Sequence, residues 1–476
     1  MAKKDQLIQL IQTLSPTDKR NFKLLAGIQP GDKNYVALFD ALDGKEDYNI
    51  NALCKQLNIS AKQLTDDKYY LNQTLIKSLL IYDDQQTMAG QLRRTRDEAS
   101  VLSGRGLNEF ALQASDKALQ KVQEFEMWEQ YAALLIQKMQ IYINTAMHEQ
   151  AAAVAAEYTR VSKILDEVFC LLELSMKALA YSKSGNQKAA FKKLMQHPKL
   201  KTPPEKLLSI RAQVAWFTIW NHYYMRGDVN HQKARQLIIA EIKFFEKRPQ
   251  IKNVNAVGYI VSYARLAEIE GALNNYTAGL KALEKLQSLL KVSPNITPMR
   301  INRLKAYADV TTIPFLYWQG RFTDTVILYK KIEPILPERP MLEQVTAIYY
   351  YAASCFHLKK YDEAANSLDQ LLKIKQDVAG NIKVVARALL VMLQIEQGNY
   401  QLVPYTIKSA KLWMKQSKIE NKEISLFYSY AYSVAKAPAF KRDAVFFALN
   451  AEIERRSLKG IDKELGVGDW VRGRFN

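Results

Sequence analysis

Few residues of this sequence have the spacing that metal or nucleotide chemistry requires. His148 and Glu149 begin like a zinc-peptidase motif, but Ala152 stands where a second histidine would have to face the same metal. Gly104 and Gly106 lack a third glycine and a following lysine, so they do not form a phosphate-binding loop. We therefore expect no catalytic residue, no metal site and no cofactor. Acid–base partners that only folding brings together are the alternative, and the favoured prediction is that the protein is not an enzyme.

One segment carries a pattern typical of DNA-binding proteins. Residues 51–64 resemble a helix-turn-helix, with Ala52, Leu57, Ile59 and Leu64 in the apolar positions. The would-be recognition helix continues into two aspartates at positions 66 and 67, where phosphate contacts require cations. A structural helical turn is therefore favoured, and a transcription regulator or RNA-associated factor is the alternative.

The net charge of +19 is concentrated in two stretches of the chain. Residues 201–300 hold 15 cationic against 7 acidic side chains, and residues 401–476 hold 14 against 8. Because these cations are spread along amphipathic stretches, they indicate a solvated basic surface more than a phosphate-binding patch. The expected partner is a protein or peptide, and acidic character would suit it. Nucleic acid is the less favoured ligand.

Composition favours a helical protein without a membrane segment. Of the 476 residues, 48% are hydrophobic and 24% charged, while glycine (18) and proline (14) are scarce. The length exceeds what one ordinary core accommodates, so several domains or an open repeat are expected. Polar residues interrupt the apolar pairs of the N-terminal stretch, and no apolar run approaches a bilayer span. We expect a cytoplasmic protein.

A helical repeat is the strongest signal in the sequence. Residues 350–368 form two apolar stretches of helical period around a short polar turn. They resemble the tetratricopeptide signature, with Ala352 and Ala364 in its small positions, Tyr361 in the aromatic one and Leu368 in the large one. Similar turns recur, more clearly after residue 220 than before it, at steps of 39 to 47 residues. The equivalent positions are Leu107, Met147, Gln187, Val229, Tyr276, Phe322, Tyr361 and Tyr400.

The repeat predicts an all-α fold, a right-handed superhelix of tetratricopeptide-like hairpins (an α-solenoid) with an N-terminal helical cap. The array is placed at 92–437, the cap at 1–91, and a capping helix with a tail at 438–476. The capping helix is expected at Ala439–Leu458, and the tail at 466–476.

Within the predicted cap, Ser15-Pro16-Thr17-Asp18 is a strong helix start. Further helices are expected at 33–43, 50–58 and 60–82. The last of these should bury a stripe of apolar side chains: Tyr69, Tyr70, Leu71, Leu75, Ile76 and Leu79.

The opening pattern also carries a family resemblance. The residues from Leu14 to Leu24, from Tyr35 to Asp40 and from Tyr70 to Leu79 are similar to an uncharacterised family of helical-repeat proteins from Bacteroidota. The resemblance covers about the first hundred residues and the general repeat character beyond them. It implies a bacterial cytoplasmic repeat protein, and it transfers no functional residue.

The first helices of the hairpins between residues 205 and 400 are expected to line a concave groove. Counting back from the turns gives the groove-facing positions as Asn221, Tyr224, Arg265, Glu268, Tyr307, Trp318, Tyr349 and His357. Their amide, charged, phenol and indole groups suit an extended peptide. The predicted function is a non-catalytic protein- or peptide-binding scaffold. The alternative for these side chains is that they only satisfy each other across neighbouring helices.

Overall fold

The computed structural model describes residues 5–28, 34–45, 47–86, 88–182, 187–293, 296–374, 380–455 and 458–475. Helix makes up 84% of the structure, and these ranges contain no β-strand. The all-α prediction is confirmed. No helix in the described ranges is long and apolar enough to cross a membrane.

The described residues form 26 α-helices. In chain order, the first half comprises α1 (Gln6–Thr13), α2 (Pro16–Ile28), α3 (Asn34–Leu42), α4 (Ile50–Leu57), α5 (Ala61–Gln86), α6 (Met88–Gly104), α7 (Asn108–Glu124), α8 (Trp128–Asn144), α9 (His148–Tyr181), α10 (Gln187–Leu194), α11 (Pro198–Lys201), α12 (Ile210–His222) and α13 (His231–Glu246). The second half comprises α14 (Pro249–Val254), α15 (Ala256–Ala272), α16 (Tyr276–Val292), α17 (Pro298–Trp318), α18 (Phe322–Ile332), α19 (Met341–His357), α20 (Tyr361–Lys373), α21 (Gly380–Glu396), α22 (Val403–Gln416), α23 (Lys422–Lys436), α24 (Arg442–Glu454), α25 (Lys459–Leu465) and α26 (Val467–Arg472).

The first helices begin where the sequence predicts. At the start of α2 the Ser15 hydroxyl donates to the Asp18 carboxylate over 2.7 Å, and the Asp18 N–H donates to Ser15 Oγ over 3.1 Å. The Ser15 N–H also donates to the Asp18 carboxylate over 2.9 Å, so the pair satisfies two backbone donors that have no partner inside the helix. Helices α3, α4 and α5 correspond to the predicted helices at 33–43, 50–58 and 60–82.

The buried stripe of α5 is narrower than predicted. Leu71 and Leu75 are buried, but Tyr69, Tyr70 and Ile76 are 66%, 61% and 41% exposed. The prediction is wrong for these three side chains, because six apolar positions spread around more of a helix than its neighbours cover. Helices α2, α3 and α4 pack on the side of α5 that carries Leu71 and Leu75.

Left-handed residues end several helices shortly before the equivalent turn positions of the repeat. Asn274, Gly320 and Gly398 have φ of 59°, 72° and 74°. Glu126 and Lys418 take the same conformation at turns that were not predicted, with φ of 52° and 54°. The turn predicted at Gly227 is instead a π-helical turn, Tyr223–Gly227. Of the weak turn predicted at 185–187, the first two residues lie outside the described ranges.

The chain divides into two compact units. Unit 1 comprises Met1–Val229 and Phe244–Asn255, and unit 2 comprises Asn230–Lys243 and Ala256–Asn476. The boundaries predicted at 91 and 437 remain predictions.

In unit 2 consecutive helices pack against each other in pairs, here called hairpins. The pairs are α15 with α16, α17 with α18, α19 with α20, α21 with α22, and α23 with α24. The first helices α17, α19, α21 and α23 also pack against one another in that order. Ala352 and Ala364 have no exposed surface, as expected for small residues where two helices cross closely.

The predicted capping helix and tail fold differently from the expectation. A short 3₁₀ turn at Ala439–Lys441 precedes α24, which ends at Glu454 and not at Leu458. The predicted tail contains α26, and α25 lies just before it. The sequence pattern missed these two helices because each has only six or seven residues, too few to show a helical period.

Candidate functional site

Residues 458–475, here called the docked segment, lie against a surface of unit 2 that is rich in aromatic side chains. Helix α25 packs on the first helices α21 and α23, and α26 packs on α24. Side chains of α16, α17 and α19 reach the same segment. We call this surface the aromatic face; its members are Asn274, Tyr276, Tyr317, Trp318, Tyr349, Tyr350, His357, Glu396, Glu423 and Phe427.

Two tyrosine hydroxyls hold the main chain of the segment. Tyr349 donates to the backbone carbonyl of Glu464 over 2.7 Å, and Tyr317 donates to the same oxygen over 3.1 Å. This carbonyl belongs to the last turn of α25, where helix carbonyls lack an intrahelical partner. The two phenols therefore replace a helix cap.

The Glu464 side chain is also recognised. Tyr350 donates to Glu464 Oε2 over 2.8 Å. Burial raises the pKa of Glu464 above its ordinary value, while the Tyr350 hydroxyl and the Lys463 ammonium oppose that rise. Burial also raises the pKa of Tyr349 and Tyr350 well above their ordinary values, so both hydroxyls remain protonated donors.

Lys463, whose side chain is exposed, lies against a pair of stacked aromatic rings, here called the aromatic box. Its ammonium is 4.8 Å from the ring centre of Trp318 and 5.7 Å from that of Tyr276, and these two rings stack on each other at 5.0 Å. Lys463 Nζ also donates to Asn274 Oδ1 over 2.8 Å. Two aromatic faces and an amide oxygen form a site for a cation.

Gly466 passes directly over His357. Its φ is +61°, and a Cβ at this position would lie 2.7 Å from His357 Cε1. Only glycine meets both conditions without strain. The His357 ring is itself stacked on Phe322 at 4.4 Å, so it cannot simply move away. Burial lowers the pKa of His357, against a raising effect from Asp469, which favours the neutral imidazole at pH 7.

Two carboxylates hold the two ends of the segment. Glu423 Oε2 accepts the Ile461 N–H over 2.8 Å, in the first turn of α25. Glu396 Oε1 accepts the indole N–H of Trp470 over 2.6 Å and also pairs with Arg474. The Trp470 ring packs edge-on against Phe427 and Phe446, with ring centres 6.4 and 5.4 Å away.

A cavity of about 540 Å³ adjoins the segment. Tyr350, Val385, Glu423 and Ile461 are among its lining residues. The docked segment therefore leaves part of this surface unfilled.

The structure brings three of the predicted groove residues together. Trp318, Tyr349 and His357 all contact the docked segment. Tyr349 has no exposed surface, so the prediction that it faces an open groove is wrong. Its side chain points into the packed layer between its own helix and α25, and its hydroxyl is occupied there.

The other five predicted residues lie elsewhere. Tyr307 donates to Glu268 over 2.5 Å, which matches the alternative that such groups satisfy each other. Arg265 lies 3.5 Å from the buried carboxylate of Glu241. Asn221, which is 4% exposed, and Tyr224 belong to unit 1.

Sequence reasoning missed most of the aromatic face and its occupant. Tyr276 was noted only as the aromatic residue after a turn, and Glu396 and Glu423 carry no local pattern. The signal that could have been used is in 466–471, Gly-Val-Gly-Asp-Trp-Val, where glycines alternate with large apolar residues. Such a pattern is more typical of a closely packed segment than of a solvated tail.

Across the described ranges, no group of three or more His, Cys, Asp or Glu side chains is arranged to hold a metal ion. The helix-turn-helix-like pattern folds as α4 and α5 around Asn58, with φ of 52°, and Asp66 is exposed near the start of α5. No protein-family model and no curated protein matches the chain.

Proposed function

We propose that the protein is a non-catalytic scaffold whose aromatic face binds a peptide segment of another protein. The observation that carries the proposal is the docked segment itself. Five successive hairpins jointly hold one short piece of chain through rings, hydroxyls and carboxylates. The proposed architecture is the predicted tetratricopeptide-like α-solenoid with right-handed superhelical stacking, and the sequential hairpin packing of unit 2 supports it.

The docked segment contacts hairpins far from the last one, which favours a binding surface over a simple end cap. A cap has to cover only the exposed face of the last hairpin. The docked segment instead extends from Phe427 and Phe446 back to Asn274, whose hydrogen bond with Lys463 joins residues 189 positions apart. Rigid helices present these groups, so a ligand would be held at little entropic cost.

The chemistry of the face suits a ligand that is basic at defined points. The aromatic box holds the Lys463 ammonium, and Glu396 pairs with Arg474. These contacts select for cations, whereas the charge of residues 201–300 led us to expect an acidic partner. The local groups outweigh the dispersed surface charge, because they act within a few ångström, and the Arg474–Glu396 pair is also partly shielded from solvent. The adjoining cavity leaves room for a bulkier side chain.

Selection from a peptide-display library tests the proposal. The targets are the full-length chain and its Gly466→Ala variant, in which the docked segment should be held less tightly. We expect the enriched peptides to share a basic residue and to lose binding to Trp318→Leu. They should retain binding to Tyr405→Leu, since Tyr405 is an exposed aromatic residue on α22. Failure to enrich any peptide on either target would refute the proposal, and equal binding to Trp318→Leu would show that another surface binds.

A further inference from the structure

We infer that residues 458–475 are a displaceable internal ligand of the aromatic face, and that the partner which replaces them presents the same pattern. The pattern is a basic residue at the position of Lys463, glycine three residues later and tryptophan four residues after that. This inference rests on the proposed function, because it names the ligand and the regulation of the same site.

The first support is that three separate sites on the aromatic face each contact a different type of residue in the segment. The box of Tyr276 and Trp318 takes the cation, and His357 leaves space only for a glycine. Glu396 takes the indole N–H of Trp470, at 2.6 Å. A surface that only needed covering would be satisfied by apolar contact, whereas these anchors discriminate between sequences.

The second support is the close approach of the backbone. At Gly460 a Cβ would lie 2.8 Å from Glu423 Oε2, and at Gly466 it would lie 2.7 Å from His357 Cε1. Two glycines thus let the main chain of the segment touch side chains of two first helices. Main-chain contact combined with pockets for selected side chains is a recurring mode of peptide recognition.

The third support is that the first helices α19 and α21 also pack on each other and on neighbouring hairpins. The core of α19 and α21 is built from their own side chains and those of neighbouring hairpins, such as Val345, Ala353 and Leu389. The segment belongs to the same apolar core through six buried side chains, which are Leu458, Ile461, Leu465, Val467, Trp470 and Val471. Release would therefore expose apolar surface that a partner of similar pattern covers again.

Covalent attachment gives the segment an advantage over any free peptide. A tethered ligand acts at a high effective concentration, so a free peptide of equal intrinsic affinity sees only the undocked fraction of the protein. A partner therefore displaces the segment only if its affinity for the aromatic face is higher, or if its own local concentration is high enough to compete.

A fluorescent synthetic peptide with the sequence of residues 458–475 tests the inference by anisotropy titration against full-length protein. Gly466→Ala should weaken docking of the tethered segment and so tighten binding of the free peptide by about tenfold. The matched control is Gly398→Ala, where the glycine is also left-handed, with φ of +74°, but nothing lies within 4 Å of the new Cβ. A second peptide carrying Lys463→Glu should bind neither variant.

Hydrogen exchange by mass spectrometry supplies the second readout. We expect Gly466→Ala to accelerate exchange in 458–472 while α19 and α21 stay protected. Equal peptide affinity for the unchanged chain, Gly398→Ala and Gly466→Ala would overturn the inference. So would joint loss of protection in the segment and in α19 and α21, since the segment would then be a structural cap. If library peptides bind but the 458–475 peptide does not, this inference fails and the proposed function stands; if neither binds, both fail.

Discussion

The two hydroxyls on the Glu464 carbonyl give the sharpest test of how the docked segment is held. Tyr349→Phe removes one donor and leaves the ring in place, while the Tyr317 hydroxyl still reaches the same oxygen over 3.1 Å. A hydrogen bond of this kind contributes about 1 kcal/mol net. We therefore expect exchange in 458–472 to accelerate about fivefold in the single variant.

The double variant Tyr317→Phe with Tyr349→Phe should lose more than the sum of two single changes. With both donors gone, the carbonyl at the end of α25 remains packed against two phenyl rings without a hydrogen bond. The unmet desolvation adds about 1–3 kcal/mol, for a total loss of about 3 kcal/mol. This corresponds to acceleration on the order of 100-fold.

Tyr428→Phe is the matched control. The Tyr428 hydroxyl is buried on α23 with no hydrogen-bond partner among the described residues. Its removal should leave exchange of the segment unchanged and leave the protein as stable or slightly more stable. The reasoning is refuted if the double variant exchanges like the unchanged chain. It is also refuted if Tyr349→Phe accelerates α19 as much as the segment, because the hydroxyl would then stabilise the hairpin.

Two further predictions concern the stability of unit 2. Arg265→Ala should lower the free energy of unfolding by about 2 kcal/mol at pH 8, because Glu241 is 1% exposed and loses its nearby cation. In the folded protein burial raises the pKa of Glu241, and the Arg265 charge lowers it. The variant therefore raises the pKa of Glu241 further. The free energy of unfolding then falls as the pH rises above the pKa that Glu241 has in the unfolded chain. Melting at pH 5 and pH 8 checks this, and an equal loss at both would contradict it. Gly279→Ala should cost about 1–3 kcal/mol, because its Cβ would lie 2.6 Å from the buried ring of Phe315. Gly104→Ala, with open space around the new Cβ, should melt no lower than the unchanged chain.

The helices were predictable because their causes are local. Apolar side chains at a period of 3.6 residues predict α3, α4 and α5, and the Ser15–Asp18 pair predicts where α2 begins. Asn274, Gly320 and Gly398 mark turns, since few residue types tolerate a positive φ. Glu126 and Lys418 adopt the same φ because the packed helices on either side fix it. Their residue types therefore did not predict these turns.

The sequence by itself determined that the chain is all-helical, and it lacks metal and nucleotide motifs; the hairpin repeat after residue 220 stays a prediction. Only the tertiary structure decided what the aromatic side chains do. Counting from the turns predicts that Trp318 and Tyr349 both face a groove. In the structure Trp318 contacts the ammonium of Lys463, and Tyr349 is fully buried. Periodicity indicates which side of a helix is apolar, but it does not indicate which distant segment will cover that side. The contact between Asn274 and Lys463, 189 residues apart, depends on the stacking of every hairpin between them, and no local pattern encodes it.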